Sequence, residues 1–351
     1  MVPPATGRPE NPGADQGPLL TAGASVLLTA TAAGRPLYEV AVRMLEEAGV
    51  TVVDTGERPA DERAFAELVR EADAILSTLA PLGAAVIDAG ERLRVIAKVG
   101  AGVDNIDVAA ATRRGIPVCN TPGANAESVA DHVLALMLAL ARDLLRLDRI
   151  TRTGAGWEPW PPLLGEELGG RVLGIVGFGG TGRAVARRAL AFGMRCVVHE
   201  PQAHLVPPGA LEGVELATGL DDLLAVSDHV TLHVPLSDAT RGLIGARELA
   251  LMRPSAVLVN TSRGPVVDEH ALVTALREGT IRAAGIDVFP SEPATASPLF
   301  ELPNVVVTPH VAGMTVDATA LARRQAAESI LAALRGERPP RIVNAKAPAG
   351  S

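Results

Sequence analysis

Short β-branched runs alternate along this chain with segments whose apolar residues recur at helical spacing. In the first third the runs are SVLLTA from Ser25, TVVD from Thr51, AILST from Ala74, RVIAKV from Arg94 and IPVCN from Ile116. Between them lie stretches such as 38–48, where Val40, Met44, Leu45 and Ala48 fall at helical intervals. Five strands with crossover helices predict an open, parallel α/β sheet. From 126 to about 150 the chain is dense in Ala and Leu with no Gly or Pro, which predicts one long helix joining two domains. A second series follows, VLGIVGFG, RCVVHE, HVTLHV, AVLVN, AAGIDV and VVVTPH, and predicts a second doubly wound sheet. The last helical stretch, about 317–334, has no obvious place in that sheet and is expected to return to the first domain.

Composition narrows the picture. With 351 residues, 48% of them hydrophobic, two domains are expected rather than one. Residues 1–22 are rich in Pro and Gly and read as a disordered extension, and 345–351 read as a loose tail. The weakly hydrophobic stretch 19–33 contains Ala30-Thr31-Ala32, which resembles a cleavage site, but no basic segment precedes it, which argues against export. No other stretch offers the roughly 20 apolar residues of a membrane helix. A net charge of −8 without a basic block argues against nucleic acid as a partner. The two cysteines, Cys119 and Cys196, suggest neither a disulfide framework nor a zinc site, and fit a reducing cytoplasm. The histidines lack ligand spacing, so no metal is expected.

Gly177-Phe178-Gly179-Gly180-Thr181-Gly182 matches G-x-G-x-x-G. Glycine makes up 35 of 351 residues, so such a triplet arises by chance about 0.3 times in a chain of this length, and context must decide. The motif follows the strand RVLGIV and opens the helical stretch GRAVARRALAFG. Gly177 can make the tight turn, Gly179 can admit a pyrophosphate and Gly182 can let helix and strand approach, while the helix N-terminus offers N–H donors to the anion. Eighteen residues beyond Gly182, Glu200 ends the next strand, where a carboxylate accepts ribose hydroxyls and repels a 2′-phosphate. The cofactor expected is therefore NAD rather than NADP, with His199 and Arg183 as nearby cations.

Three later strand exits carry polar residues where an open α/β sheet places its ligand crevice: LVNTSRG with Arg263, GIDVFPSEP with Asp287 and Glu292, and VVVTPH with His310. Together they suit reduction of a 2-keto acid. Arg263 can hold the carboxylate and polarise the carbonyl with its fixed fork of donors, and His310 can supply the proton. An adjacent carboxylate favours the imidazolium form of a histidine, and Glu292 is the candidate, on an arm stiffened by Pro290 and Pro293. Asp131-His132 resembles an acid–base pair, but adjacent helical positions do not face each other, so the juxtaposition reads as coincidence. Trp157 and Trp160, framed by prolines, suggest a loop packing on a partner subunit or at the rim of the site.

From about 95 to 317 the chain resembles the D-isomer-specific 2-hydroxyacid dehydrogenases, through GAGVDNID, NTPGANAESVADHVLALML, GGRVLGIVGFGGTGRAVARRALAFGM, LHVPLSDATRGLI, LVNTSRGPVVDEHAL, AAGIDVFPSEP and NVVVTPHVAGMT. The resemblance implies two doubly wound parallel-sheet α/β domains. One is a flavodoxin-like substrate-binding domain, 23–121 plus 309–344, and the other an inserted Rossmann NAD-binding domain, 122–308. It implies a catalytic set of Arg263, Glu292 and His310. For the cofactor it implies contacts from Gly180, Thr181, Val234, Thr261, Ser262, Arg263, Asp287 beside the nicotinamide, His310 and Gly313. Backbone N–H groups of Val99, Gly100, Ala101 and Gly102 would meet the substrate carboxylate together with Arg263, and the long helix would join two subunits as a homodimer through the NAD-binding domain. Departures are Gly180, where many relatives carry a basic or amide side chain, and Glu200 in place of the commoner Asp. Ser77-Thr78 stand where phosphoglycerate dehydrogenases usually carry an Arg, with Lys98 as the remaining cation. These tilt the expectation toward a small unphosphorylated substrate of the glyoxylate or hydroxypyruvate kind, with 3-phosphoglycerate oxidation as one alternative and an NAD-sensing, corepressor-like binding protein as another.

Overall fold

The computed structural model describes residues 23–31, 34–56, 61–154, 164–207 and 209–345. The expected disordered extension, the loop with Trp157 and Trp160, and all of the expected tail after residue 345 lie outside the described residues. Contacts divide the chain into two units, one of residues up to Val99, Asn105–Asn120 and from Arg323 onward, the other of Gly100–Asp104 and Thr121–Ala322.

The first unit holds five strands, β1 Ser25–Thr31, β2 Thr51–Gly56, β3 Ala74–Ser77, β4 Val95–Lys98 and β5 Val118–Cys119, all parallel in the order β2-β1-β3-β4-β5. That is the flavodoxin-like order, and β3 and β4 are buried at every position, as expected of strands covered on both faces. Its core joins Val26, Leu28 and Leu76 to Ala326, Ala327 and Ile330 of the last helix, Val316–Leu334. The helix Glu39–Glu47 buries Ala41, Val42 and Leu45. Only Leu45 belongs to the stripe read from spacing, because a short apolar-rich helix leaves its rotation to be decided by the sheet it covers.

The second unit holds seven strands, β6 Val172–Val176, β7 Arg195–His199, β8 Val214–Leu216, β9 His229–Leu232, β10 Val257–Asn260, β11 Ala283–Ile286 and β12 Val305–Val307. They run parallel in the order β12-β11-β10-β9-β6-β7-β8, the doubly wound dinucleotide-binding order extended by one strand. The three-residue edge strand β8 escaped the sequence reading because it is too short to show a pattern and two of its three residues are exposed. One face of the sheet is covered by the helices Ala126–Ala141 and Gly180–Ala191, with Val133, Met137, Val185 and Ala189 buried against Leu173, Ile175 and Val259.

The single long helix expected from 126 to about 150 is two, Ala126–Ala141 and Leu144–Arg152. The break lies at Asp143, whose φ of 49° is left-handed, a conformation that Asp tolerates better than most residues, so neither Gly nor Pro was needed to end the first helix. The return to the first unit falls at Arg323 rather than at 309. Segment 309–322 stays with the second unit because Asp287 accepts hydrogen bonds from the Val311 and Ala312 N–H groups and Thr315 bonds Ser128. Among the described residues no helix is long and apolar enough to cross a membrane.

Candidate active site

The glycine loop leaves β6 at the point where strand order reverses, between β6 and β9. Gly177 has a φ of 91°, and a Cβ there would lie 2.7 Å from the His233 carbonyl oxygen and 3.0 Å from Val234 Cγ1, so glycine is required for the turn and for its approach to Val234. A Cβ at Gly182 would run into the Gly177 carbonyl. At Gly179 a Cβ would meet nothing within 4 Å, and Gly179 and Gly180 are exposed at the N-terminus of the helix Gly180–Ala191. The loop therefore presents an open, donor-rich concavity. Glu200, just past β7, accepts from the Phe178 N–H at 2.8 Å and the Gln202 N–H at 3.0 Å, which pins its carboxylate beside the loop.

At the exit of β10 the turn is organised by Asn260, which is almost fully buried. Its Oδ1 accepts from the Ser262 N–H and Oγ, and its Nδ2 donates to the Arg263 carbonyl. Thr261 Oγ1 is buried without a hydrogen-bond partner, a polar atom left for something else to satisfy. The residues thus fit a dinucleotide on two counts, an open cradle at Gly179 and an orphaned hydroxyl at the exit of β10, two strands away in the sheet. Arg263 donates through Nε to Asp104 Oδ2 at 2.8 Å and through Nη1 to the Ser262 carbonyl. Its guanidinium lies against Gly102, where a Cβ would be 2.9 Å from both Arg263 Cζ and Asp104 Oδ2 and closer still to Nη2.

Glu292 and His310 meet directly. The carboxylate can only accept, so His310 Nδ1 donates to Glu292 Oε2 at 2.6 Å, while Oε1 takes the Phe289 N–H at 3.0 Å. The pair opens on a cavity of about 260 Å³ walled largely by apolar groups, among them Phe289, Pro293, Phe300 and Val307. Gly264 lets the β10 exit approach the arm that carries Glu292, since a Cβ there would collide with the Phe289–Pro290 backbone.

Several residues expected at the cofactor or substrate have protein partners of their own. Asp287 was expected beside the nicotinamide, but its side chain has no exposed surface. Its oxygens accept from Thr308 Oγ1 and the Val311 and Ala312 N–H groups, so this geometry uses it to hold the loop that carries His310. The Val99 N–H is committed to the Ser77 carbonyl and the Gly100 N–H to Thr121 Oγ1, so neither is presented to a carboxylate as expected. Lys98 is buried with its ammonium bonded to the Thr78 carbonyl. Gly313, expected at the cofactor, packs on the Asn125 side chain. Burial pushes the thiols of Cys119 and Cys196 up to about 11, which leaves both unreactive at neutral pH. Asp104, Asn260, His132 and Thr308 escaped the sequence reading. All four stand inside quoted phrases, but His132 read as coincidence because its chain neighbour cannot face it.

Residues 134–312 match the profile of the D-isomer specific 2-hydroxyacid dehydrogenase NAD-binding domain. The chain is 44% identical over 292 residues to a glyoxylate reductase of Korarchaeum cryptofilum, covering 82% of this chain and 87% of that one. It belongs to the D-isomer specific 2-hydroxyacid dehydrogenase family. The protein is thus an oxidoreductase acting on CH–OH donors with a nicotinamide dinucleotide. A D-3-phosphoglycerate dehydrogenase of Methanocaldococcus jannaschii is 41% identical over 312 residues, 88% of this chain but 58% of that one. Among solved structures, an NADPH-dependent glyoxylate/hydroxypyruvate reductase of Sinorhizobium meliloti in complex with NADP and malonate superposes with a TM-score of 0.80 at 31% identity, covering 92% of this chain and 97% of that one.

Proposed function

We propose that this enzyme transfers hydride between NAD(H) and C2 of a small unphosphorylated D-2-hydroxy acid or its 2-keto form, of glyoxylate or hydroxypyruvate size. The observation that carries the reading is the His310–Glu292 pair at 2.6 Å, which bridges the exits of β12 and β11, the latter adjoining β10 with Arg263. The bound nicotinamide supplies or accepts the hydride. Arg263 holds the substrate carboxylate and polarises the carbonyl through its guanidinium fork. His310 Nε2, the ring nitrogen turned away from Glu292, gives a proton to the carbonyl oxygen in reduction and takes it back in oxidation. Glu292 fixes the tautomer and orientation of that ring.

For the cofactor, Gly177, Gly179, Gly180, Thr181 and Gly182 cradle the pyrophosphate, Glu200 takes the ribose hydroxyls, and Val234, Thr261 and Ser262 border the nicotinamide half. The Glu200 carboxylate favours NAD over NADP by repelling a 2′-phosphate, although the S. meliloti relative is named for NADPH. A homodimer through the NAD-binding domain is supported by Leu144 and Leu145, 56% and 53% exposed on the helix Leu144–Arg152. Phosphoglycerate oxidation is the second reading, since relatives carry that name. Ser77 and the engaged Lys98 disfavour it, because neither offers a cation to a phosphate.

The test is NADH and NADPH oxidation across glyoxylate, hydroxypyruvate, pyruvate and phosphohydroxypyruvate, with His310→Ala alongside. Glyoxylate or hydroxypyruvate should lead with NADH, and His310→Ala should lower turnover by about 10² to 10⁴-fold while NADH still binds. Activity on phosphohydroxypyruvate alone would overturn the substrate reading, and unchanged turnover in His310→Ala would remove that residue from the mechanism.

A further inference from the structure

We propose that His132 is a positioning residue for the reaction, seating the His310 loop through Thr308 and Asp287 as the principal member of a polar stripe on the helix Ala126–Ala141. The proposal rests on His310 being the proton donor. Residues 308–312 wrap around the carboxylate of Asp287, just beyond β11. Oδ1 accepts from Thr308 Oγ1 at 2.5 Å and the Val311 N–H at 2.9 Å, Oδ2 accepts from the Ala312 N–H at 3.0 Å, and the Asp287 carbonyl accepts the His310 N–H at 2.8 Å. Within this wrap His310 has a φ of 55°, a left-handed conformation that a side chain larger than glycine keeps only when its surroundings impose it.

A carboxylate with no exposed surface depends on its donors being held in place. His132 Nε2 lies 3.7 Å from Oδ1. The same nitrogen is 3.0 Å from Thr308 Oγ1. Because the Thr308 hydroxyl hydrogen is directed to Asp287, its oxygen accepts, and His132 Nε2 is the donor. The chain of donors therefore runs from His132 through Thr308 to Asp287, whose backbone carbonyl and carboxylate hold His310 and the two residues after it.

Two further contacts come from the same helix. Asn125, its N-cap, packs against Gly313, and Ser128 Oγ lies 2.7 Å from Thr315 Oγ1. Positions 125, 128 and 132 are spaced three and four apart, which places them on one helical face. The opposite requirement, rigidity, is met by Val133, Leu136 and Met137 in the core, with Leu136 Cβ 3.1 Å from where a Cβ on Gly285 of β11 would stand. The helix thus acts as a fixed rail along which 308–315 is pinned at three points.

The experiment compares His132→Leu, His132→Gln and Thr308→Val with wild type and His310→Ala, by steady-state NADH oxidation with glyoxylate, by NADH binding through fluorescence, and by thermal unfolding. Leucine removes the donor, whereas the glutamine amide can place an N–H near the position of imidazole Nε2. His132→Leu and Thr308→Val should each lower kcat by about 10- to 100-fold with KM and NADH affinity within threefold, and His132→Gln should recover most of the loss. The double variant His132→Leu/Thr308→Val should be no worse than either single one, since both break the same chain. A kcat within threefold of wild type in His132→Leu, or a loss that His132→Gln does not recover, overturns the proposal. Should His132→Leu fail to fold, His132→Gln against Thr308→Val decides: near-wild-type kcat in the first with loss in the second supports it, and any other pattern overturns it. Inactivity of His310→Ala beside unaffected His132 variants sinks this inference alone, whereas a fully active His310→Ala sinks the reaction on which it rests.

Discussion

Replacing Gly102 by alanine puts a methyl group where the Arg263 guanidinium lies. The new Cβ would stand 2.9 Å from Arg263 Cζ and from Asp104 Oδ2, and inside van der Waals contact with Nη2. Since the obstructed group is the end of a flexible side chain, it can swing away at little cost to the fold. The Arg263–Asp104 pair that is lost has side chains 31% and 44% exposed, so it contributes less than about 1 kcal/mol to stability. The reaction pays more. In the proposed role of Arg263, a displaced guanidinium would forfeit a charge-assisted interaction with the substrate carboxylate worth roughly 1.5–3 kcal/mol, or about 10- to 100-fold in kcat/KM. The assay is NADH oxidation over a range of glyoxylate concentrations, with NADH affinity and the unfolding midpoint measured on the same preparation. The expected result is a depressed kcat/KM with both controls unchanged. A kcat/KM within threefold of wild type would refute the view that Arg263 works from its seat against Gly102, and a large fall in the unfolding midpoint would refute the claim that only a flexible end is displaced.

Two glycines of the cofactor loop should separate folding from binding. Gly179→Ala meets no protein atom within 4 Å and should unfold like wild type while losing NADH affinity at least tenfold, whereas Gly182→Ala meets the Gly177 backbone and should lose both affinity and about 1–3 kcal/mol of stability. Equal behaviour of the two in thermal unfolding would count against this assignment. Burial, and after it the Arg282 guanidinium, push His229 down to about 4 from its ordinary 6.5. Its folded-state value lies below the unfolded one, so its contribution to stability is complete above about pH 6.5 and is lost as pH falls toward 4, by roughly 3 kcal/mol at 1.4 kcal/mol per pH unit. Urea unfolding between pH 7 and 4.5 should show a shallower acid decline in His229→Phe than in wild type, and parallel declines would refute the assignment.

Most of the strand pattern was legible because strands buried on both faces of a parallel sheet must be apolar and short, and helices that cross over them must repeat at their own period. The glycine loop was legible for a related reason. Gly177 and Gly182 answer to backbone contacts a few residues away, which local sequence carries. The exits bearing Arg263, Glu292 and His310 could be located for the same reason, since each directly follows an apolar run. The edge strand β8 was lost because three residues carry no period, and the break at Asp143 because a single left-handed residue leaves no mark on composition.

Tertiary structure decided what the exits do to one another. His132 was dismissed for want of a neighbour it could face, yet its partners are Thr308 and Asp287, brought to it by the packing of the helix Ala126–Ala141 over β11 and β12. Asp287 stands at a strand end in the sequence, and only the fold brings the loop that follows β12 onto its oxygens. Asp104 lies 159 positions from Arg263 and bonds it all the same. The sequence by itself determined which strands and helices form and which polar residues stand at strand ends, because periodicity and turn chemistry act within a few residues. It could not determine which side chains meet, because that depends on the rotation of each helix and the relative placement of strand exits, set only when the two faces of the sheet are covered.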